Sequence, residues 1–356
     1  MQFNDIIEVM LKTDAADIFI RANSKLRGRV HSLVKEIDNY TFTSEDMNQI
    51  IDEITPVHLK KELHEKRNCE FALWFRENWR LRVSAFFQRN TVSIVIRKID
   101  LHIPSFESLN LPGTVLEKFC TERRGLIFLT GITGSGKSTT IASMIEHINE
   151  NYNKHILTIE EPIEFTYQDK KCLINQREIG KDVFSYEEAL RQFALHSPDV
   201  IFIGNIRDEK TCYAALTAAE MGVLVFSTLH TVNAPSTVER IINFFPPHQH
   251  SFVLAQLSRL LKGVVCLRLI PRIANDGVIP AYEVMSLSPT IARLIKDNKL
   301  TEIPKYIASG DIYGMKRFDQ SLVDLVEKKI IDSKIALEYA DKKEELELLL
   351  RNRSLI

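Results

Sequence analysis

A chain of 356 residues, 45% hydrophobic and 26% charged, has the makeup of a soluble globular protein with two domains. Its 46 basic and 47 acidic residues leave a formal net charge of −1, which argues against nucleic acid or an anionic membrane surface as a direct partner. The five cysteines (Cys69, Cys120, Cys172, Cys212, Cys266) lack C-x-x-C spacing, so reduced cytoplasmic thiols are expected rather than disulfides or a zinc site. Asp5 and Glu8 stand where a signal peptide would be basic, and no run approaches ~18 apolar residues.

Residues 3–12 read as an amphipathic helix with Phe3, Ile6, Ile7 and Met10 on one face. Short strands are expected at 17–20 and 28–31. Residues 43–46 open a second helix, with Ser44 as its cap and Met47, Ile50, Ile51 and Ile54 at helical spacing. Strands at 70–75, 80–88 and 91–99 follow. The middle one alternates Leu81, Val83, Ala85 and Phe87 with Arg80, Arg82, Ser84 and Phe86. Residues 1–99 therefore form a small α+β domain with an antiparallel sheet, and a linker at 100–112 carrying Pro104 and Pro112 leads out of it. Arg80, Arg82, Arg89 and Arg97 lie on or beside two adjacent strands. They read either as a solvated basic edge that discourages aggregation or as cations delivered to a phosphate.

From Val115 onward strands and helices alternate, the pattern of a parallel sheet wrapped by helices. Strands are expected at 126–130, 155–160, 199–204, 223–229 and 264–270, with helices near 137–149, 185–195, 208–220, 234–242 and 247–262. The apolar run 126–130 leads into Gly131-Ile-Thr-Gly-Ser-Gly136-Lys137-Ser138, a match to G-x-x-x-x-G-K-[ST] that opens a helix. Strand, glycine loop and helix in that order make a phosphate-binding loop. Its main-chain N–H groups converge on phosphate oxygens, and the helix N-terminus adds partial positive charge. Gly131, Thr133, Gly134, Ser135, Gly136, Lys137, Ser138 and Thr139 are accordingly the candidate contacts to ATP. Lys137 would reach the β- and γ-phosphates, and the Ser138 hydroxyl would be a ligand to Mg²⁺.

The later strands end in polar residues, where an open parallel sheet binds its ligands. Glu160, Glu161 and Glu164 could hold Mg²⁺ through water or orient a nucleophile; a solvated acidic turn before Pro162 is the alternative. The third strand ends in Gly204 and Asn205, where phosphate-loop enzymes usually place an acid. The fourth carries His230 at its tip, either structural or hydrogen-bonded to a γ-phosphate. After Pro271 the pattern becomes mostly helical (288–297, 300–308, 318–328, 334–352), which divides the rest into a core at 113–271 and a helical region at 272–356.

Taken together these segments resemble the PilT/PilU type of secretion ATPase, the motors that retract type IV pili. Gly131–Thr140 resembles that family's Walker A segment, with Ile132 where proline is usual. Thr158-Ile-Glu-Glu161-Pro-Ile-Glu164 resembles its acidic box, with Glu161 in place of aspartate. Asn175-Gln-Arg-Glu178-Ile-Gly180, the segment 198–208 and Ser227-Thr-Leu-His230-Thr resemble the inter-box, Walker B and histidine-box segments. The segments 80–89 and 291–296 resemble its N-domain strand and its C-terminal retraction helix. The resemblance implies a RecA-like P-loop core with a PAS-like N-terminal domain, assembled as a homohexameric ring. It also implies ATP and Mg²⁺ as cofactors, and a cytoplasmic place at the inner-membrane base of the pilus machine. The implied partners are a pilus platform protein and a paralogous retraction ATPase, with membrane contact only through partners and none with nucleic acid. It turns Arg82, Arg89 and Arg97 into phosphate contacts.

One departure bears on the chemistry. The family carries a glutamate where this chain has Asn205, and an amide orients water without accepting its proton. Weak hydrolysis with ATP binding retained is the expectation, with Glu160, Glu161 or Glu164 as partial substitutes. A non-hydrolysing accessory ring subunit, or a type IVB or type II secretion ATPase, stands as the alternative.

Overall fold

A computed structural model describes residues 1–30, 33–76, 79–99, 103–274 and 277–356, without the side chains of His58, Phe193 and Ala194. The end of the expected 28–31 strand at His31, and linker positions 100–102, lie outside the described residues. The chain divides into two compact units, Met1–His102 and Ile103–Ile356.

In the first unit the order is α1 (Phe3–Lys12), β1 (Asp17–Arg21), β2 (Ser24–Val30), β3 (Leu33–Phe42), α2 (Ser44–Ile54), α3 (Val57–Lys66), β4 (Asn68–Phe75), β5 (Trp79–Gln88) and β6 (Thr91–Ile99). The strands pair antiparallel in the order β3-β2-β1-β6-β5-β4. Ile6, Ile7 and Met10 of α1 pack with Met47 and Ile50 of α2 against Ile18, Ile20, Leu81, Val83 and Ile94. The α2 cap is Thr43 rather than Ser44. Its hydroxyl accepts from Asp46 N at 3.1 Å while Asp46 Oδ2 accepts from Thr43 N at 2.7 Å, a reciprocal pair Ser44 cannot make from inside the helix.

The second unit runs α4 (Gly113–Thr121), β7 (Gly125–Thr130), α5 (Lys137–Asn151), β8 (His155–Glu160), β9 (Leu173–Glu178), α6 (Tyr186–His196), β10 (Val200–Ile203), α7 (Glu209–Glu220), β11 (Leu224–Leu229), α8 (Ala234–Ile242), α9 (His250–Leu260), β12 (Leu261–Pro271) and β13 (Val278–Ser286). Helices α10 (Pro289–Lys296), α11 (Ile303–Ala308), α12 (Phe318–Glu327), α13 (Ser333–Tyr339) and α14 (Lys343–Asn352) complete it. The sheet order is β13-β12-β7-β11-β10-β8-β9, parallel except for the antiparallel β12–β13 pair.

Alternate strand residues face opposite ways, so nearly continuous apolar strands are buried on both sides. Leu126, Phe128, Ile201, Ile203 and Val225 join the core under α7, α8 and α9, whereas Ile127, Leu129, Val200, Phe202 and Phe226 join the one under α4 and α5. A third cluster gathers Ile270, Ile279, Phe318, Leu322, Ala336 and Leu346 around the last helices.

Two expectations for the C-terminal part need correction. The region after 271 is not helical throughout, because β13 extends the sheet. The expected 334–352 helix is two helices, since the Arg268 guanidinium takes hydrogen bonds to Tyr339 O and Asp341 at the break between them. No helix among the described residues is long and apolar enough to cross a membrane.

Candidate functional site

Parallel strands β7, β11, β10 and β8 are consecutive neighbours, so their carboxyl ends form one edge. The loop after β7 carries the glycine motif, and the residues just past β8, β10 and β11 include Glu161, Asn205 and His230. Cross-links hold those tips together. Gly204 N donates to Ile159 O at 2.8 Å, Ser227 Oγ to Ile203 O at 2.8 Å, and Thr228 Oγ1 to Gly204 O at 2.6 Å.

The loop itself needs glycine. Gly131 has φ 139°, and a Cβ there would meet Leu267 O at 2.4 Å and Ser135 Oγ at 2.5 Å. Gly134 and Gly136 are also left-handed, and Gly136 stands at the N-cap of α5. Such alternating conformations turn successive N–H groups into one concavity, and the helix terminus reinforces its positive potential. Lys137 is buried, and its ammonium donates to Gly131 O at 2.8 Å and Ile132 O at 2.9 Å. Burial lowers its pKa while Glu164 pulls it back up. Ser135 Oγ is buried without a hydrogen-bond partner among the described residues, a polar atom suited to an incoming anion's ligand shell. Ser138 and Thr139, half-buried, begin α5.

The acids diverge in environment. Glu160 is buried, accepts from Thr158 Oγ1 at 2.6 Å and Gln176 Nε2 at 3.4 Å, and burial pushes its carboxyl up to about 7. Glu161 follows it in the chain, exposed and paired with Arg207 at 3.4 Å. Glu164 is exposed and within electrostatic reach of Lys137. Asn205 Oδ1 is buried with no donor among the described residues. His230 is held below its ordinary pKa by partial desolvation and then by the charges of Lys137 and Arg207, so its ring is neutral near pH 7.

Beside the start of α5 lies a cavity of about 270 Å³, lined by Leu109, Leu111, Gly136, Thr139, Leu267 and Leu269 among others. Its walls are mainly apolar.

Arg82, Arg89 and Arg97 belong to the first unit. Arg82 and Arg97 face each other across β5 and β6, and Arg89 occupies the turn between those strands with φ 47°. Arg82 Nη2 donates to Glu70 Oε2 at 2.8 Å and Arg97 Nε to Asp17 Oδ1 at 2.7 Å. Asp17 is buried; burial would raise its pKa, but Arg97 and Arg29 hold it below the ordinary carboxylate range.

Sequence reasoning did not single out Glu178 or Arg207. Glu178 is buried beside Glu160 in the β8–β9 register and ion-paired with Lys181. It stood inside the 175–180 segment already noticed, but its place beside Glu160 depends on strand register, and β9 itself carried no strand pattern. Arg207 stood inside a segment already noticed, but its pairing with Glu161 depends on β10 lying next to β8.

A profile of the Type II/IV secretion system protein family matches residues 1–310. The type IV pilus ATPase PilU of Pseudomonas aeruginosa is 36% identical over 99% of this chain and 92% of its own length. The type IV pilus retraction ATPase PilT of the same organism is 36% identical over 96% of this chain and 98% of its own. A crystal structure of the pilus retraction motor PilT with bound ADP superimposes with a TM-score of 0.92 at 37% identity, covering 98% of this chain and 99% of that one. With full-length likeness in sequence and in fold, and a glycine loop shaped for phosphate, this chain belongs to the Type II/IV secretion system protein family.

Proposed function

We propose that the chain is an ATP-hydrolysing motor of a type IV pilus system that acts in retraction, with turnover attenuated at Asn205. The observation that carries it is the Gly131–Ser138 loop, whose left-handed glycines, orphaned Ser135 hydroxyl and sequestered Lys137 ammonium are complementary to a polyphosphate. The full-length likeness to PilU and PilT supplies the biological setting.

ATP's phosphates would replace the Gly131 and Ile132 carbonyls as partners of Lys137, with the main-chain amides around them. Ser138 is the chain's own candidate ligand to Mg²⁺, which would supply charge neutralisation to the phosphates when bound. Among the described residues no cluster of three metal-ligating side chains exists, which suits an ion that arrives with the nucleotide and keeps several waters. Neutral His230 can donate one ring N–H to a γ-phosphate oxygen. The unpartnered Asn205 oxygen can accept from an attacking water and orient it, and the proton must then go elsewhere. Glu160, Glu161 and Glu164 are the carboxylates proposed to take up part of that role, and Arg82, Arg89 and Arg97 the cations proposed to act on the phosphates. A homohexameric ring working on an inner-membrane platform protein from the cytoplasmic side completes the reading.

ATP affinity and steady-state turnover test it together. Lys137→Ala is expected to abolish measurable ATP binding. Asn205→Glu is expected to leave affinity in place and raise turnover by ~10²-fold or more, the low end of general-base catalysis. Unchanged affinity in the first variant would refute nucleotide binding by this loop, and equal rates in the second would refute the attenuation. A nucleotide-binding subunit without turnover is the second reading, favoured by Asn205 itself. Zero turnover by the native chain, with ATP bound, would select it.

A further inference from the structure

His230 leads into α8 through the segment from Val232 to Ala234, and that segment is held by two charged side chains of the β12–β13 hairpin. Glu283 is only 6% exposed, and its Oε1 accepts from Ala234 N, the first residue of α8, at 2.8 Å. It faces Cys266 in the hairpin register. Arg268, two residues along β12 from Cys266, projects on the same face. Its Nη2 approaches Val232 O at 3.5 Å, and the same guanidinium donates to Tyr339 O at 2.9 Å and Asp341 Oδ1 at 2.5 Å. The guanidinium carbon also lies 4.0 Å over the Phe318 ring. Tyr339 ends α13 and Asp341 lies in the break before α14, so one side chain touches both the histidine segment and the C-terminal helices.

This arrangement resists sliding. A guanidinium presents its donors in a fixed planar fork, and stacking on an aromatic ring removes its freedom to tilt. A displacement of Val232 must therefore break the contact to its carbonyl or carry the fork, and with it Tyr339 O and Asp341, along. Glu283 ties the start of α8 to the same hairpin, so the segment has anchors at both ends. Close-packed surroundings make such contacts change in discrete steps.

We propose that Arg268 and Glu283 are positioning residues that couple the His230 segment to the turn between α13 and α14, so that nucleotide at the phosphate loop is sensed at residues 339–341. The proposal rests on the reading of His230 as a partner of the γ-phosphate. It gives the C-terminal helices a role in reporting nucleotide state, distinct from any part in hydrolysis.

Amide hydrogen exchange on the full-length protein, with and without a non-hydrolysable ATP analogue, tests it. In the native chain, saturation with the analogue is expected to change exchange in the 339–345 segment by at least about fivefold, the low end of ordinary site-to-site coupling. Arg268→Ala and Glu283→Ala should each remove that response while analogue affinity stays within about twofold. Glu283→Gln keeps an acceptor for Ala234 N and should retain the response, a rescue that a loss of folding would not show. A response that survives either alanine variant, or analogue binding with no response in the native chain, would overturn the coupling alone. Absence of analogue binding by the native chain would overturn the coupling and the ATPase reading together.

Discussion

Glu160 and Glu283 are buried carboxyls whose surroundings disfavour charge, and each is pushed up to about 7 chiefly by burial. The folded protein therefore holds more protons than the unfolded chain between the ordinary carboxylate pKa and about 7. Stability falls as pH rises through that window, and the penalty is fully present above it. Glu160→Gln removes the charge while its amide oxygen can still accept from Thr158 and Gln176. Chemical denaturation should find the variant more stable than the native protein by on the order of 2 kcal/mol at about pH 8, with the two alike at about pH 4.5. A stability difference that is the same at both pH values would mean Glu160 ionises freely in the folded protein. The same property suits Glu160 to exchange a proton near neutrality. Glu160 is buried, whereas Glu161 faces solvent and Arg207. That distinction was invisible in the sequence, where the three glutamates of the segment looked alike.

Among the elements, α2 depends on a short local device. Thr43 and Asp46 satisfy each other's main-chain N–H groups, and the hydroxyl lost in Thr43→Ala would leave Asp46 N to solvent. The expected cost is about 1 kcal/mol, read as a lower denaturation midpoint with unchanged m-value; an effect near zero would show that packing of Met47 and Ile50 alone holds the helix. Helical spacing made α1, α5 and α8 legible from the chain, whereas the one cap read from the sequence, Ser44, fell one residue inside the helix. The central strands β7, β8, β10 and β11 were legible too, because burial on both faces writes an apolar run into the sequence. The strands that escaped notice, β3, β9 and β13, are all sheet edges. An edge strand pairs on one side only and tolerates polar residues. β3 is mostly exposed, β9 reads Leu-Ile-Asn-Gln-Arg-Glu, and β13 carries Pro280, which no central strand would accept. The phosphate loop was legible for the opposite reason. Its glycines answer to left-handed conformations, a local demand, even though the backbone that crowds Gly131 is Leu267 O of distant β12. The contacts of Arg207 with Glu161 and of Arg268 with Tyr339 join residues far apart in the chain, and no local pattern encodes them.

At the scale of the whole molecule, the apolar cores divide as the chain does. One cluster is built wholly from residues of the first unit, and the others wholly from Ile103 onward. Each unit therefore has its own basis for cooperative unfolding, and heating should resolve two transitions. Nucleotide makes the pair informative. A ligand stabilises only what it binds when folded, by about 2.7 kcal/mol at 100 times its Kd, which in a unit of this size is a shift of about 5–10 °C. The loop from Gly131 to Ser138 lies entirely in the second unit, so that transition must rise with a non-hydrolysable ATP analogue. If Arg82, Arg89 and Arg97 also act on the phosphates, the first transition should rise with it. Replacing Arg97 by alanine should then confine the shift to the second unit, although it also releases buried Asp17 from one of its two cations and lowers the first transition at baseline. Arg89→Ala, in an exposed turn, should weaken the first unit's response in the same way without disturbing a buried acid. A first transition that ignores nucleotide in the native chain would remove the arginines from the mechanism and leave the phosphate loop as its only demonstrated grip.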